Sequence, residues 1–129
     1  MEKAAKAWSI WEGSTSKLKA DSWESIQNKF GDDKFALAFA RIENHYFVNQ
    51  GFFSRDGWLL ERENLDRIRH IPTVIVQGRY DVVCPATTAY ALHKAFPESE
   101  LIMTLTGHSG FETEIIEKLV EATDRFKRN

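Results

Sequence analysis

The sequence predicts an α/β fold in which two parallel strands alternate with helices and follow a longer helical stretch. Two observations support this prediction. Apolar residues recur at helical spacing through the first half of the 129-residue chain, and short runs of strand-forming residues occur only after Ile71-Pro72. We therefore expect a helical segment over residues 1–70 and a strand-helix-strand-helix segment over residues 71–129.

Two helices are predicted in the first segment, and a third, short helix over residues 59–68 is weakly indicated. Apolar residues at three- and four-residue steps across residues 4–12 form one face, and Gly13 is expected to end that helix. A second apolar stripe across residues 35–46 predicts another helix. An aspartate, Asp32 or Asp33, is positioned to cap its start.

The second segment alternates between strands and helices. Residues 73–76 are a β-branched run typical of a strand buried on both faces. A helix from Pro85 to Phe96, a strand over residues 101–105 and a terminal helix over residues 112–126 follow. The inward residues of the last helix are expected to be Ile115, Leu119 and Val120.

Composition makes several partners improbable. The 17 basic and 19 acidic residues are interspersed, so we expect no nucleic-acid partner. No apolar run approaches the roughly 18 to 20 residues of a membrane-spanning helix, and Met1 precedes a charged amphipathic stretch. One cysteine, Cys84, fits a reducing compartment, so we expect a cytoplasmic protein without a membrane partner.

No metal or other cofactor is expected. The histidines at positions 45, 70 and 93 show no ligand spacing with cysteines or carboxylates. The glycines match neither nucleotide-binding fingerprint. Any chemistry is therefore expected to come from side chains of the chain.

An aspartate and a histidine directly follow the two predicted strands. Asp81 lies in Gly78-Arg79-Tyr80-Asp81, and His108 lies in Gly107-His108-Ser109. In open α/β sheets, functional residues lie at the carboxyl ends of the strands. Asp81 before His108 is also the order of acid and histidine in an α/β-hydrolase triad. The competing interpretation is that Asp81 only bonds the backbone of its own loop.

Four segments resemble the proline iminopeptidases, a family of α/β-hydrolases. Residues 78–85 (GRYDVVCP) and 107–112 (GHSGFE) are similar to the family's acid and histidine loops. Residues 7–13 (AWSIWEG) and 40–47 (ARIENHYF) are similar to two segments of its helical cap. The resemblance covers nearly the whole chain. It implies the carboxyl-terminal part of an α/β-hydrolase fold, preceded by helical cap elements.

The resemblance also implies roles for individual residues. Asp81 would be the triad acid and His108 the general base. Glu12 and Glu43 would bind the free α-amino group of a peptide that begins with proline, through charge-assisted hydrogen bonds. Cys84 would lie near the catalytic loops, although packing accounts for it equally well.

The nucleophile of the family is not found in this sequence. No serine lies in a Gly-x-Ser-x-Gly elbow. We therefore expect a serine aminopeptidase fragment that is inactive alone and needs a complementing amino-terminal half or self-association through its strand edges. Two alternatives stay open: another α/β-hydrolase of esterase or epoxide hydrolase type, and a non-catalytic interaction module.

Overall fold

The computed structural model describes residues 2–127, which form two compact units. The first unit extends to Asp56 and the second begins at Gly57. The first is helical, and the second contains both strands. Residues 57–70, which the sequence groups with the helical segment, thus lie in the second unit. The division at residues 70 and 71 into a cap-derived and a hydrolase-core segment stays a prediction.

The first unit consists of three helices and a 3₁₀ turn. Its helix α1 packs against both of the others. The elements are α1 (Glu2–Thr15), α2 (Trp23–Phe30), α3 (Asp33–Val48) and the turn Gln50–Phe52.

Helix α1 does not end at Gly13, as the sequence had predicted, but continues to Thr15. Gly13 is buried against the ring of Phe30, where an added Cβ would stand 2.4 Å from Cδ2. The glycine therefore allows α1 to approach α2 closely and does not act as a helix stop.

Capping side chains define the other two helices. Ser22 accepts a hydrogen bond from the backbone N–H of Ser25 and starts α2, which the sequence analysis missed within a polar stretch. Asp32 accepts from the N–H of Phe35 at 2.9 Å, so Asp32 and not Asp33 is the cap of α3. The predicted helix over residues 35–46 is confirmed.

The predicted strand-helix-strand-helix order is confirmed in the second unit. Strands β1 and β2 are parallel, with Val74 opposite Glu100 and Gly78 opposite Thr104. The weakly indicated helix over residues 59–68 is a 3₁₀ turn followed by one short helix. The elements are the 3₁₀ turn Trp58–Leu60, α4 (Arg62–Leu65), β1 (Val74–Gly78), α5 (Ala86–Ala95), β2 (Glu100–Thr104) and α6 (Thr113–Lys127).

Fewer residues of the second unit are buried than the sequence suggests. Phe96 and Ile115 are buried, but Leu119 and Val120, predicted to point inward, are exposed. The β-branched residues of β1 are half-buried, which contradicts the expected burial on both faces. The exposure of Leu119 and Val120 follows from the size of the sheet, because two strands are too narrow to cover a wide apolar stripe on α6.

Gly78 lies where β1 meets the loop after β2. An added Cβ would stand 1.8 Å from the carbonyl oxygen of Gly107. Gly78→Ala should therefore force the two loops apart and lower the free energy of unfolding of this unit by about 1–3 kcal/mol. Amide hydrogen exchange in β1 and β2 measures this.

Gly110→Ala is the matched control, because an added Cβ there meets nothing within 4 Å. It should leave stability within about 1 kcal/mol of the unsubstituted chain. Equal effects of the Gly78→Ala and Gly110→Ala substitutions would contradict the close approach of the two loops.

Arg69 joins the end of α5 to the turn after α4. Its guanidinium donates to Asp66 at 2.6 Å, to Glu98 at 2.7 Å and to the carbonyl of Ala95 at 3.0 Å. The hydrogen bond from Arg69 lowers the pKa of Asp66. A backbone N–H of its own residue, together with Arg69, lowers the pKa of Glu98. The two carboxylates in turn raise the pKa of Arg69, which stays charged.

Removing this cation should destabilise the chain in a pH-dependent way. Both carboxyl pKa values are lowered in the folded state, so their stabilising contribution is present above about pH 4 and is lost as the pH falls through the lowered values. Arg69→Met should lower the midpoint of thermal unfolding by a few degrees at pH 7. The difference should shrink in acid.

Arg67→Met is the control for charge alone, since Arg67 is exposed two residues away. Circular dichroism during heating measures both variants. An Arg69→Met effect that is the same at neutral and acidic pH would show that the two carboxylates contribute nothing.

Candidate active site

Parallel pairing brings the loops after β1 and β2 side by side. The ladder continues past both strands, because the N–H of Arg79 donates to the carbonyl of Thr104 and that of Tyr80 to the carbonyl of Thr106. Both loops therefore leave the same edge of the sheet, where ligand sites of open α/β sheets are found.

Asp81 and His108 meet at this edge. Oδ2 of Asp81 lies 3.0 Å from Nδ1 of His108. The Asp81 side chain is 6% exposed and the His108 side chain 39% exposed. An ionised carboxylate can only accept, so Nδ1 carries the proton and Nε2 is left as the basic nitrogen. A buried carboxylate that orients a partly exposed imidazole is the acid and base arrangement of a triad.

The second oxygen of Asp81 holds the backbone of its own loop. Oδ1 accepts hydrogen bonds from the N–H groups of Val83 at 2.9 Å and Cys84 at 2.7 Å. The sequence alone leaves both this backbone role and a catalytic role open. In the structure one oxygen bonds the loop and the other bonds His108, so the two roles do not compete.

Carboxylates from the start of α6 support the histidine loop. Glu112 Oε1 accepts from the N–H of Gly107 at 2.8 Å, and Glu114 Oε2 accepts from the N–H of Leu105 at 2.8 Å. Both carboxylates hold the backbone of the three residues before His108 in place. The direction of that residue is therefore set by α6 as well as by β2.

The two glutamates expected to bind an amine lie in the first unit. Glu12 is half-buried on α1, and Glu43 is half-buried on α3. The indole N–H of Trp8 donates to Glu43 Oε2 at 2.5 Å. One oxygen of the Glu43 carboxylate is thus held in place by an aromatic side chain of α1.

An open pocket of about 470 Å³ lies between α1 and α3 in the same unit. Its lining includes Trp8 but neither Glu12 nor Glu43. The remaining wall is mainly apolar, with Arg41 and Asn44 as its polar members. The lining residues are Ala4, Ala5, Trp8, Leu37, Ala40, Arg41, Asn44 and Phe47.

Cys84, the one cysteine of the sequence, is exposed on the acid loop. Both backbone polar groups of Cys84 take part in the hydrogen bonds of this loop. The N–H donates to Asp81, and the carbonyl accepts from the side chain of Gln77 at 3.2 Å.

Gln77 is the residue of the site that the sequence analysis overlooked. Its amide nitrogen lies 3.3 Å from Asp81 Oδ2 and bonds the carbonyl oxygens on both sides of the loop. A signal was present, because Gln77 is the one polar side chain in an otherwise apolar strand, Val-Ile-Val-Gln-Gly. A polar residue directly before a candidate catalytic loop could have been selected as a candidate site residue.

No group of three or more His, Cys, Asp or Glu side chains within residues 2–127 is arranged to hold a metal ion. In that same part of the chain, every helix is too short or too polar to cross a membrane.

Comparison with known proteins identifies relatives along almost the whole chain. A probable proline iminopeptidase of Leptolyngbya boryana is 65% identical over 124 residues, which are 95% of this chain. Proline iminopeptidases of Arabidopsis thaliana and Neisseria meningitidis serogroup B are 56% and 44% identical over 96% and 94% of it. The sequence of this chain is homologous to those of the proline iminopeptidases. No family model matches the chain.

The resemblance to proline iminopeptidases is thereby confirmed. The fold class is confirmed with it, since two parallel strands with helices, preceded by helices, agree with the carboxyl-terminal part of an α/β-hydrolase. The chain spans only about a third of the length of these relatives, with matches over 37%, 32% and 36% of the three proteins.

Proposed function

We propose that this chain supplies the acid and the base of a serine aminopeptidase that releases amino-terminal proline from peptides. The observation that carries the proposal is the 3.0 Å contact between Asp81 Oδ2 and His108 Nδ1 at the edge of the sheet. Relatives named proline iminopeptidases support the choice of substrate.

In the proposed reaction, Asp81 holds the imidazole with Nε2 directed at the nucleophile. Nε2 takes the proton of the serine hydroxyl as the oxygen attacks the carbonyl of the proline residue, and then returns it to the leaving amine. Asp81 stabilises the imidazolium that forms between these steps. The half-exposed position of His108 allows a substrate and a nucleophile to reach Nε2.

The nucleophile is proposed to come from sequence outside these 129 residues, which contain no Gly-x-Ser-x-Gly elbow. The oxyanion hole would come from there too. A complementing segment of the same or another chain, or self-association, would complete the site. Without it the chain is expected to be inactive, because loss of a triad member lowers the rate by several orders of magnitude.

Glu12 and Glu43 are proposed to bind the α-amino group of the substrate. An aminopeptidase must recognise a cationic amine, and partly buried carboxylates do this through charge-assisted hydrogen bonds. In Glu43, Trp8 occupies Oε2 and leaves Oε1 as the natural acceptor for an ammonium group.

The location is proposed to be the cytoplasm. The chain has a single cysteine, Cys84, which cannot form an internal disulfide, and this agrees with a reducing compartment. Fractionation of cells tests this, and recovery in an oxidising compartment would contradict it.

A chimera tests the catalytic pair. Its sequence is that of the Leptolyngbya boryana relative, with this chain in place of the matching segment. We expect it to hydrolyse a chromogenic proline amide. Asp81→Asn and His108→Ala should each lower kcat by about 10³- to 10⁴-fold, because the imidazole loses its orientation or is removed. Initial rates at saturating substrate measure this.

Asp124→Asn and His70→Ala are the controls, since both residues are exposed and distant in sequence from the two loops. They should leave kcat unchanged. A chimera whose activity survives either loop substitution would show that Asp81 and His108 are not the acid and the base.

Substitution of the glutamates separates an aminopeptidase from an esterase or epoxide hydrolase, which has no amine to bind. Glu43→Gln in the chimera should raise KM for a proline amide by about 10-fold or more, because a charged hydrogen bond contributes about 1.5–3 kcal/mol. KM for the same substrate with a blocked amine should not change.

Glu24→Gln is the matched control on an exposed position of the same unit. Equal effects of Glu43→Gln on free and blocked substrates would reject the amine-binding role. They would favour the other hydrolase classes.

A further inference from the structure

Gln77 lies at the end of β1, where the strand passes into the acid loop. It shares a face of the strand with Ile75, since side chains alternate along a strand. Its side-chain nitrogen is within hydrogen-bonding distance of three oxygens. These are the carbonyl of Gly78 at 3.0 Å, the carbonyl of Cys84 at 3.2 Å and Asp81 Oδ2 at 3.3 Å.

The three neighbours determine the orientation of the amide. Two carbonyls and an ionised carboxylate can only accept hydrogen bonds. An amide oxygen facing them would meet three acceptors and no donor, so the nitrogen must face the loop. The two N–H groups of the Gln77 amide then donate to three acceptors. These hydrogen bonds hold the beginning and the end of the loop close together.

The hydrogen bonds of Gln77 add a further constraint on the Asp81 carboxylate. That carboxylate is already tied to the loop through Val83 and Cys84 on Oδ1. Gln77 bonds Oδ2, the oxygen that also meets His108. The amide thus fixes the rotation of the carboxylate as well as the shape of the loop.

We propose that Gln77 is a positioning residue for the Asp81–His108 pair, holding the loop of residues 78–84 closed so that Oδ2 of Asp81 meets Nδ1 of His108. Its effect on catalysis rests on the proposed function, whereas its effect on the state of His108 does not. The two effects are therefore tested separately.

Nitrogen-15 NMR of the 129-residue chain tests the effect on His108, at a pH where the imidazole is neutral. In the unsubstituted chain the ring should be in the Nδ1–H form, because Asp81 is only an acceptor. Gln77→Met retains the length of the side chain but has no donor. The loop should then relax, and His108 should become a mixture of the Nδ1–H and Nε2–H forms.

Gln77→Asn is the second variant, because its shorter amide remains polar but cannot reach all three oxygens. It should give a mixture as well, and it decides the question if Gln77→Met does not fold. Gln27→Met, at an exposed position of α2, should leave the ring in the Nδ1–H form. A folded Gln77 variant that retains a pure Nδ1–H ring would overturn the proposal.

Kinetics of the chimera test the effect on catalysis. Gln77→Met should lower kcat by about 10- to 100-fold, the cost of a catalytic group displaced by about 1 Å, with KM within about twofold. In an Asp81→Ala background the same substitution should have no further effect, since Gln77 acts through Asp81. An equal loss in that background would assign Gln77 a merely structural role.

The results distinguish this proposal from the proposed function. An inactive chimera with Gln77 intact would reject the aminopeptidase assignment. The ring form of His108 in the 129-residue chain would still decide whether Gln77 positions the pair.

Discussion

The parallel pairing of β1 and β2 is the interaction on which the candidate site depends. It places Gly78 opposite Thr104, so that the chain leaves both strands at the same level. The absence of a side chain on Gly78 lets the backbone at Gly107 come close enough for the two loops to meet. A change of register by one residue would move Asp81 away from His108 by about 3.3 Å, more than the length of their hydrogen bond.

The site also shows how local and long-range contacts are combined. Asp81 bonds the backbone of its own loop through one oxygen and a histidine 27 residues away through the other. Gln77 and Glu112 add local contacts, since Gln77 donates to the carbonyl of Cys84 and Glu112 accepts from the N–H of Gly107. The direction of His108 is thus determined by β2, α6 and the acid loop together, which is the preorganisation that acid and base catalysis requires.

The sequence was most informative where one local rule dominates. The aspartate cap of α3, predicted as Asp32 or Asp33, and the strand before Gly78 both follow from short-range patterns, and they agree with the structure. Tertiary contacts decided the failures. Gly13 looks like a helix stop until its contact with Phe30 is known, and α2 lies in a polar stretch whose apolar residues are too few to show a period. The role of Gln77 depends on three oxygens that only the folded loop brings together.

The chain brings Asp81 and His108 together at the edge of its sheet but contains no Gly-x-Ser-x-Gly elbow. Its sheet has two strands, and large apolar side chains such as Leu105, Phe111 and Leu119 are exposed. These features fit a segment that works together with further protein. We therefore propose that this chain contributes an acid and a base to a site completed from elsewhere.

Complementation in trans tests this claim most directly. The purified chain is mixed with the separately expressed remainder of the Leptolyngbya boryana relative, and hydrolysis of a proline amide is followed. We expect activity in the mixture, none in either part alone, and none when the chain carries His108→Ala. No activity in the mixture, although the two parts form a demonstrated complex, would contradict the account and favour a non-catalytic interaction module.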